Sequence, residues 1–573
     1  MDTRELDRDI AALRAHAEEW ARLPVPEKLA ILRRLRPRVD AVADRWVAAA
    51  AKAKGLPEDS PWVGEEWLSG PYSVLHAITA LERTFVALAA GRSPLPARRR
   101  IRARPDGQVV VEVFPATGWD RLLVSGVRAE VWMDRSVTVA NLEEHVARRY
   151  RRPPLPAGRV ALVLGAGNVA SIAPLDILYK LYGEGQVCML KTSLVNDYLA
   201  PFIAEAFGEL LERGFLRIAL GGSETGDHLA RHPGIDEIHM TGSDRTYDAV
   251  RFGPGVEGAE RKRRGEPINT KRITAELGGV GPTIVVPGPW SDADIRFQAE
   301  HVASQKLVNG GFNCIAAQVL VLPQAWARSA ELLDSLRAVV RSLPPRPAYY
   351  PGAAERQVAA VRAHPGAELL DAPAVGGVPR TLIAGIDPQD AGSYGFTEEF
   401  FGGVLAQTAL PGRTPLEFLR AAVEFSNARL RGTLGANIIV HPATLRELGP
   451  AFEDALAALR YGAIGVNGWV ALAYLLSEST WGAFPGHTDQ DIQSGRGVVH
   501  NAYLFDRPEK TITYGPFEPF HRALLRGRFH VSPKPPWFVT HRRAAEVGRR
   551  LTRFAANPGL RHIPGIFAAA LRP

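Results

Sequence analysis

The chain has 573 residues, of which 46% are hydrophobic and 23% charged, and its formal net charge is +8. This length predicts two or more domains with substantial cores, and the composition is typical of a soluble globular protein. So modest a charge excess gives little support to a nucleic-acid partner, whose footprint needs basic residues clustered on one face. The two cysteines, Cys188 and Cys314, argue against a disulfide-stapled secreted scaffold and suit a reducing cytoplasm.

The N-terminal stretch "MDTRELDRDIAALRAHAEEW" has the pattern of a charged amphipathic helix and differs from a secretory signal peptide. No apolar run approaches the ~20 residues that a membrane-spanning helix needs. We therefore expect a cytoplasmic protein that has neither a membrane nor a nucleic acid as partner.

The first 158 residues combine helices with a strand pair. Helical periodicity covers residues 4–50 and 73–90. After a Pro- and Arg-rich joint, "QVVVEVFP" and "EVWMD" predict two strands of a projecting hairpin or extended arm. A second joint, "RRPPLPAG" at 151–158, leads into the apolar strand and glycine turn "ALVLGAGNVAS".

From residue 159 onward, strands alternate with helices. The predicted strands are "RVALVLGAG", "QVCMLKTS", "LRIALGGS" and "IDEIHMTGS", and the predicted helices are "PLDILYKLYG", "NDYLAPFIAEAFGELLERG", "TGDHLARHP" and "DRTYDAVRFG". This alternation predicts a parallel sheet covered on both faces, and right-handed crossovers make it Rossmann-like.

A polar, basic segment interrupts the alternation at residues 251–272, and its composition favours a solvated surface loop over a nucleic-acid contact through "RKRR". Next, "ITAELGGVGPTIVVPG" predicts two short strands around a Gly-Gly turn. Residues 291–450 predict a second α/β region, with helices near 293–308 and 325–342. The tail after about residue 515 has Arg-rich and Pro-rich pieces without an assigned role.

The glycine turn after the first strand of the alternating region has two interpretations. Gly165, Gly167 and Ala170 match the spacing of a dinucleotide-binding turn. That fingerprint expects an acidic residue at the end of the next strand, which here ends in Lys191. A tight strand-to-helix turn is therefore at least as good an explanation. The turn also leaves the Asn168 amide at the carboxyl end of a parallel strand, where ligands collect.

Two further residues lie beside glycine pairs. Cys314 follows Gly310 and Gly311 in "VNGGFNCIAAQVLVL", where the backbone can approach a ligand closely and a thiolate could react. Cys188, in mid-strand, fits the usual buried, inert thiol. Glu276 lies between an apolar strand and a Gly-Gly turn, where burial would raise its pKa toward that of a general base. A structural Glu that caps the turn is the alternative.

Taken together, these stretches resemble the aldehyde dehydrogenase superfamily. "TAELGGVGPTIVV" is similar to its Glu-Leu-Gly-Gly signature, "NGGFNCIAAQVLVL" to its cysteine signature, and "HMTGS" to its Phe-Thr-Gly-Ser. "EEFFGGVL" resembles its Glu-Glu-x-Phe-Gly-Pro, and "FPGHTDQDIQSGRG" loosely resembles its C-terminal Phe-Gly-Gly segment. The stretch from Asn168 to Lys191 resembles the family's Asn–helix–Lys region. The similar stretches follow the family's order over about 165–500.

The resemblance implies an α/β fold of the aldehyde dehydrogenase type, with a Rossmann-type cofactor domain, an α/β catalytic domain and a small β oligomerisation arm. The implied division is an N-terminal helical part of the cofactor domain at 1–107, an oligomerisation arm at 108–150, the NAD(P)-binding domain at 151–288, the catalytic domain at 289–497 and a C-terminal strand and tail at 498–573. By analogy we expect a homodimer or homotetramer.

The activity that the resemblance implies is oxidation of a small-molecule aldehyde to an acid with NAD or NADP, without a metal. Cys314 would be the nucleophile, and the Asn168 side chain and the Cys314 backbone N–H would hold the oxyanion. Glu276 would activate the water that hydrolyses the thioester. The implied cofactor contacts are Lys191 on the adenosine ribose, Gly222 and Gly226 on the adenine side, Ser243 on the pyrophosphate, Glu399 on the nicotinamide ribose, and Phe401 packing nearby.

Some positions depart from the family pattern. Leu194 stands where a Glu often favours NAD, which leaves NADP open, and "EEFFGG" lacks the family's proline. Two alternatives to aldehyde oxidation therefore stay open. One is an acyl-CoA or acyl-carrier thioester reductase that uses the same cysteine. The other is a non-catalytic binding protein on this fold.

Overall fold

The N-terminal part consists of helices followed by a small antiparallel strand group. The computed structural model describes residues 3–152, 157–372 and 376–573, so the joint predicted at 151–158 lies partly outside it. The elements are α1 (Thr3–Arg22), α2 (Val25–Ala53), α3 (Val63–Trp67), α4 (Ser73–Ala89), β1 (Ile101–Ala103), β2 (Val109–Phe114), α5 (Gly118–Leu123), β3 (Arg128–Met133) and α6 (Arg148–Arg151). The predicted helical stretches 4–50 and 73–90 are confirmed, whereas α3 was not predicted.

The middle part is the predicted Rossmann-like layer. Its elements are β4 (Val160–Leu164), α7 (Ile172–Leu178), β5 (Val187–Lys191), α8 (Ala200–Ala206), α9 (Gly208–Glu212), β6 (Leu216–Ala219), α10 (Ser223–Arg231), β7 (Glu237–Gly242), α11 (Asp244–Phe252), α12 (Gly255–Arg264) and β8 (Arg272–Leu277). The strands pair in parallel in the order β8-β7-β4-β5-β6. The order reverses between β4 and β7, and ligands bind at such a switch point.

The following part of the chain has a second parallel sheet, which we call the second sheet. It comprises β9 (Gly281–Val285), α13 (Asp292–Leu307), β10 (Ala317–Pro323), α14 (Arg328–Ser342), α15 (Ala353–Ala363), β11 (Glu368–Leu369), β12 (Thr381–Ile386), α16 (Tyr394–Thr397), β13 (Val404–Leu410), α17 (Pro415–Arg429), β14 (Gly435–Ile439), α18 (Pro442–Leu448), α19 (Pro450–Ala458), β15 (Ala463–Val466) and α20 (Ala471–Leu475). β8 and β9 both form as predicted, but they belong to different sheets. The Gly-Gly turn between them therefore crosses from one sheet to the other.

The C-terminal part returns to both sheets. Its elements are β16 (Thr480–Trp481), β17 (Gly495–Arg496), β18 (Val499–His500), β19 (Pro508–Tyr514), α21 (Phe520–Leu525), α22 (Ala544–Ala556) and α23 (Ile563–Ala570). β17 adds antiparallel to β8. β19 joins β3 to β15, so the predicted strand pair extends the second sheet, in the order β1-β2-β3-β19-β15-β14-β9-β10-β13-β12-β11.

Two predicted elements differ from the structure. The long helix predicted over "NDYLAPFIAEAFGELLERG" is broken, because Phe207 leaves helical geometry between α8 and α9 and is followed by the poor helix former Gly208. The basic segment predicted as a loop contains the helix α12. Pro254 precedes its first residue and Gly265, with φ 69°, ends it, which is the common start and stop asymmetry of helices.

The interior of these layers is apolar, as amphipathic helices and buried parallel strands require. In α1, Leu6, Ile10, Leu13 and Ala17 are buried at the spacing of one helix face. Among the described helices, none combines the length and the apolar content of a membrane span.

Candidate active site

All the residues that the sequence analysis selected line one cavity of about 1010 Å³. The cavity lies beyond the carboxyl ends of β4, β5, β7 and β8 and reaches across to the second sheet. Its size suits a dinucleotide together with a small substrate. The selected residues brought together are Asn168, Lys191, Gly222, Gly226, Ser243, Glu276, Cys314, Glu399 and Phe401.

Cys314 is presented by a tightly bent loop between α13 and β10. Asn309, Gly310 and Gly311 have φ values of 55°, 67° and 83°, which turn the chain sharply after α13. A Cβ on Gly311 would stand 2.3 Å from the Gly402 carbonyl oxygen, so only glycine fits this close approach. The loop places Cys314 half-buried on the cavity wall.

Glu276, near the end of β8, faces Cys314 from the other sheet. The Cys314 Sγ donates a hydrogen bond to Oε1 of Glu276 over 3.5 Å. Burial, together with the negative charge of Asp176, raises the pKa of Glu276 to about 7. Burial and the charges of Glu276 and Glu399 raise the pKa of the Cys314 thiol well above its usual value. The Cys314 thiol therefore lies beside a carboxyl group that can exchange protons near neutral pH.

The Asn168 side chain lies next to the cysteine loop. Its Nδ2 donates to the Phe312 carbonyl oxygen over 2.9 Å, which leaves a second N–H for a ligand oxygen. Its backbone carbonyl accepts from Lys54 Nζ at 3.2 Å, Asn309 Nδ2 at 2.9 Å and the Tyr349 hydroxyl at 2.9 Å. Three donors thus fix the backbone of the residue that would hold an oxyanion.

Lys54 is a site residue that the sequence analysis missed. It is buried at the end of α2, where its Nζ lies 2.8 Å from Oε1 of Glu66 and 3.0 Å from Oδ1 of Asn309. The ammonium also lies 5.1 Å from the centre of the Tyr349 ring. A buried lysine is costly unless it is paired. Its contacts therefore tie α2 to both Asn168 and the cysteine loop, through positions that no local pattern connects.

The predicted adenosine end of the cavity is open. Lys191 Nζ donates to the Thr192 carbonyl oxygen over 2.7 Å, and burial lowers the pKa of Lys191. Leu194 is 65% exposed at the rim. Gly222 and Gly226 face open space, because no atom lies within 4 Å of the point where a Cβ on either glycine would stand. Ser243 caps α11 by accepting from the Thr246 N–H over 3.2 Å, at the end of the helix that favours anions.

The predicted nicotinamide end carries a carboxylate with spare hydrogen-bonding capacity. Oε1 of Glu399 is buried and has no partner among the described residues. Burial raises the pKa of Glu399 to about 8, and the nearby Lys306 opposes this rise. The ring of Phe401 packs against that of Tyr350, with 4.8 Å between the ring centres. Tyr350 also lines the cavity, and the sequence analysis did not select it. The unpartnered Oε1 of Glu399 and the open adenosine end fit a nicotinamide dinucleotide.

The basic run "RKRR" lies on the last turn of α12, where cations suit the helix dipole. Each of its side chains has a carboxylate within ion-pair distance: Arg261 with Glu257, Lys262 with Asp248, Arg263 with Glu260, and Arg264 with Glu266 and Glu260. Among the described residues, no group of three or more His, Cys, Asp and Glu side chains is arranged to hold a metal ion.

The two sheets and the cavity between them define an aldehyde dehydrogenase type of α/β protein. Residues 146–358 match the Aldehyde dehydrogenase family. An NAD-dependent aldehyde dehydrogenase from Sinorhizobium meliloti superposes with a TM-score of 0.58 at 19% identity, over 89% of this chain and 86% of that one. An aldehyde dehydrogenase from Pseudomonas syringae, in complex with NAD+ and octanal, gives a TM-score of 0.57 at 18% identity over 90% of each chain.

Curated relatives give the same family. The chain is 26% identical to N-succinylglutamate 5-semialdehyde dehydrogenase of Sphingopyxis alaskensis, over 59% of this chain and 55% of that one. It is 24% identical to coniferyl aldehyde dehydrogenase of a Pseudomonas species, over 61% and 68%. The chain spans about half the length of the first of these relatives. The family match over residues 146–358 and these relatives confirm the resemblance to the aldehyde dehydrogenase superfamily.

Proposed function

We propose that this protein oxidises an aldehyde to a carboxylic acid with NAD or NADP, using Cys314 as nucleophile. The observation that carries the proposal is the 3.5 Å contact between the thiol of Cys314 and the carboxyl of Glu276, in the cavity that Asn168 also lines. The solved neighbours that hold NAD+ support the choice of cofactor. The aldehyde named for each relative differs, so the substrate proposed here is the aldehyde group alone.

The first half of the reaction forms a bond from sulfur to carbon. Glu276 accepts the proton of the Cys314 thiol, and the resulting thiolate attacks the aldehyde carbonyl carbon. The second N–H of the Asn168 side chain and the Cys314 backbone N–H donate to the developing oxyanion. Preorganised donors of this kind are each worth about 3 kcal/mol in the transition state. When bound, the nicotinamide cofactor supplies the hydride acceptor.

The second half of the reaction releases the acid. After Glu276 has lost the thiol proton to solvent, it removes a proton from water, and the water oxygen attacks the thioester carbon while the same donors hold the oxyanion. The carbon–sulfur bond then breaks, the Cys314 sulfur takes the proton that Glu276 holds, and the released acid loses its own proton to solvent. A carboxyl whose pKa is about 7 suits this work near neutral pH, because it can both accept and release a proton.

The proposed cofactor contacts follow the two ends of the cavity. Lys191 would bind the adenosine ribose, with Gly222 and Gly226 beside the adenine, and Ser243 with the start of α11 would bind the pyrophosphate. The unpartnered Oε1 of Glu399 would accept from the nicotinamide ribose. With Leu194 in place of a carboxylate, residue 194 does not repel a 2′-phosphate, so both cofactors are proposed.

A spectrophotometric screen of short, long and aromatic aldehydes with each cofactor tests the proposal. Cys314→Ser should lower turnover at least about 1000-fold, because the thiolate is the attacking group. Cys188→Ser is the matched control, since Cys188 is buried in β5 away from the cavity. Full activity of Cys314→Ser, or no reduced cofactor with any aldehyde, would refute the proposal. The expected homodimer or homotetramer stays a prediction that light scattering can test.

A further inference from the structure

A second, smaller cavity lies beside the loop that presents Cys314, and we call it the rear cavity. Its volume is about 40 Å³. That is room for about three water molecules or one small anion. Of the described residues, none lines both the rear cavity and the large one. Most of the wall of the rear cavity is apolar, and it includes the side chains of Leu307, Phe312, Leu343, Phe400 and Val404.

One of the charged residues in this wall is Arg346, whose side chain is only 6% exposed. Its Nη1 donates to Oε2 of Glu65 over 2.8 Å. Its Nε and Nη2 are also buried, and neither has a hydrogen-bond partner in the described part of the chain. The N–H groups of Nε and Nη2 lie side by side on one edge of the guanidinium, at the spacing of two carboxylate oxygens. We call this edge the Arg346 fork.

The side chains around the Arg346 fork leave it empty. Arg380 also lines the rear cavity, but a guanidinium has no acceptor to offer. Gln357 is the other polar side chain in the wall, and its amide donates to the Thr381 hydroxyl over 3.2 Å. Gly310 has no side chain to fill the space, since the Nε of Arg346 lies 3.7 Å from the point where a Cβ on Gly310 would stand. Buried donors on a charged group are costly when they lack an acceptor, so the fork calls for a ligand.

The chemistry of the wall selects the kind of ligand. Arg346 and Arg380 are cations, and among the described residues no carboxylate lines the rear cavity, so the ligand is an anion. A halide ion has one centre and cannot span both donors of the fork. Sulfate and phosphate can span them, but they would place strongly hydrated oxygens against the apolar wall. A carboxylate with a short alkyl group satisfies both the fork and the wall.

We propose that the rear cavity is a binding site for a short monocarboxylate of the size of formate, acetate or propionate. The two oxygens of the ligand accept from Nε and Nη2 of Arg346, and its alkyl group packs against the apolar wall. Pro347, Ala348 and Val378 line the cavity and are partly exposed, so the site lies just below the surface. Binding there leaves the large cavity free for aldehyde and cofactor.

Hydrogen bonds connect this site to the loop that presents Cys314. Oε2 of Glu65, which accepts from Nη1 of Arg346, also accepts from the backbone N–H of Asn309 over 2.9 Å. The side chain of Asn309 donates in turn to the Asn168 carbonyl oxygen over 2.9 Å. A carboxylate on the Arg346 fork therefore stabilises the guanidinium and, through Glu65, the cysteine loop.

Equilibrium dialysis of the full chain against radiolabelled acetate tests the site. The wild type should bind about one acetate per chain, and chloride or sulfate at equal ionic strength should not displace it. Arg346→Lys keeps a cation opposite Glu65 but lacks the fork, so it should bind acetate at least about tenfold more weakly. The double variant Arg346→Met/Glu65→Gln removes both charges and should weaken binding about 100-fold, because two bonds from a charged donor are lost. If Arg346→Lys fails to fold, the double variant decides.

Arg104→Met is the matched control, because Arg104 is another buried arginine but pairs with Glu453 and Asp106 and does not line the rear cavity. It should bind acetate as the wild type does. Acetate should also slow amide hydrogen exchange at 307–316 at least about threefold in the wild type and not in Arg346→Lys. A wild type that binds no acetate at about 100 mM has only water in the cavity, which would overturn the inference. Wild-type affinity in folded Arg346→Lys would overturn it too.

Discussion

The buried pair Lys54–Glu66 makes the sharpest prediction about how this site is held together. Lys54→Met removes the ammonium and leaves Glu66 buried without its 2.8 Å partner. An uncompensated buried charge of this kind costs about 3–5 kcal/mol of unfolding free energy. The variant also removes the Lys54 hydrogen bonds to the Asn168 carbonyl, at 3.2 Å, and to Asn309, at 3.0 Å. Bonds from a charged donor are worth about 1.5–3 kcal/mol each.

The double variant Lys54→Met/Glu66→Leu separates stability from function. It removes both charges and should recover most of the lost unfolding free energy in denaturant titrations. It should not recover the burst rate, which we expect to fall about 10- to 100-fold, because Asn168 and the cysteine loop still lack their shared donor. Arg33→Met, at an exposed ion pair with Glu82, is the control and should cost less than about 1 kcal/mol.

Two results would refute this reasoning. A loss below about 1 kcal/mol for Lys54→Met would mean that the pair contributes little to folding. A wild-type burst rate in a folded double variant would mean that Asn168 is positioned without Lys54.

Four further variants or conditions test the site. Glu276→Gln should give a burst of about one reduced cofactor per site, after which turnover should stall at the acyl-enzyme. If coenzyme A restores turnover, the acyl-thioester reductase is favoured. Unchanged turnover would show that Glu276 takes no part in the reaction. Because the pKa of Glu276 is raised to about 7, the carboxylate is lost as pH falls, so steady-state turnover should drop about tenfold per unit below pH 7; a profile that is flat from pH 5 to 8 would contradict this. Leu194→Glu should raise the KM for NADP at least about tenfold and leave that for NAD within about twofold, and equal changes for both would remove residue 194 from cofactor choice. Gly311→Ala, at φ 83° and 2.3 Å from the Gly402 oxygen, should destabilise the protein by about 1–3 kcal/mol and lower the burst rate, whereas Gly255→Ala, with open space around it, is the control for a positive φ.

Local sequence patterns predicted part of the candidate site. Strand ends of parallel sheets meet at one edge, so Asn168 could be assigned to the ligand-binding edge from the strand–turn–helix alternation alone, whereas the roles of Lys191 and Ser243 came from the resemblance. The meeting of Glu276 with Cys314 came from the resemblance, because the two residues lie on different sheets and no periodicity relates them. Cys314, the proposed nucleophile, was distinguishable from Cys188 because it follows Gly310 and Gly311.

Other parts of the site depend on contacts that distant segments make. Lys54 precedes Asn168 by 114 positions, and nothing in "AAAKAKG" marks its second lysine, Lys54, as buried. The same holds for Tyr349, which approaches Asn168 from beyond α14. The buried polar side chains of β7 and β8 did leave a signal that was not used. In "EIHMTG" and "RITAEL" polar residues alternate with apolar ones, although both strands belong to a parallel sheet that is covered on both faces.

The candidate active site lies at the boundary between the two sheets, which we call the seam. Glu276 lies near the end of β8 in one sheet, and Cys314 precedes β10 in the other. The Gly278–Gly279 turn, which joins β8 to β9 of that other sheet, is closely packed: a Cβ on Gly279 would stand 2.8 Å from the Ser494 hydroxyl. Neither sheet by itself therefore contributes both Glu276 and Cys314. Small slippage along this seam would lengthen the sulfur–oxygen contact before any strand was disturbed, so catalysis should fail at milder denaturant concentrations than the loss of secondary structure.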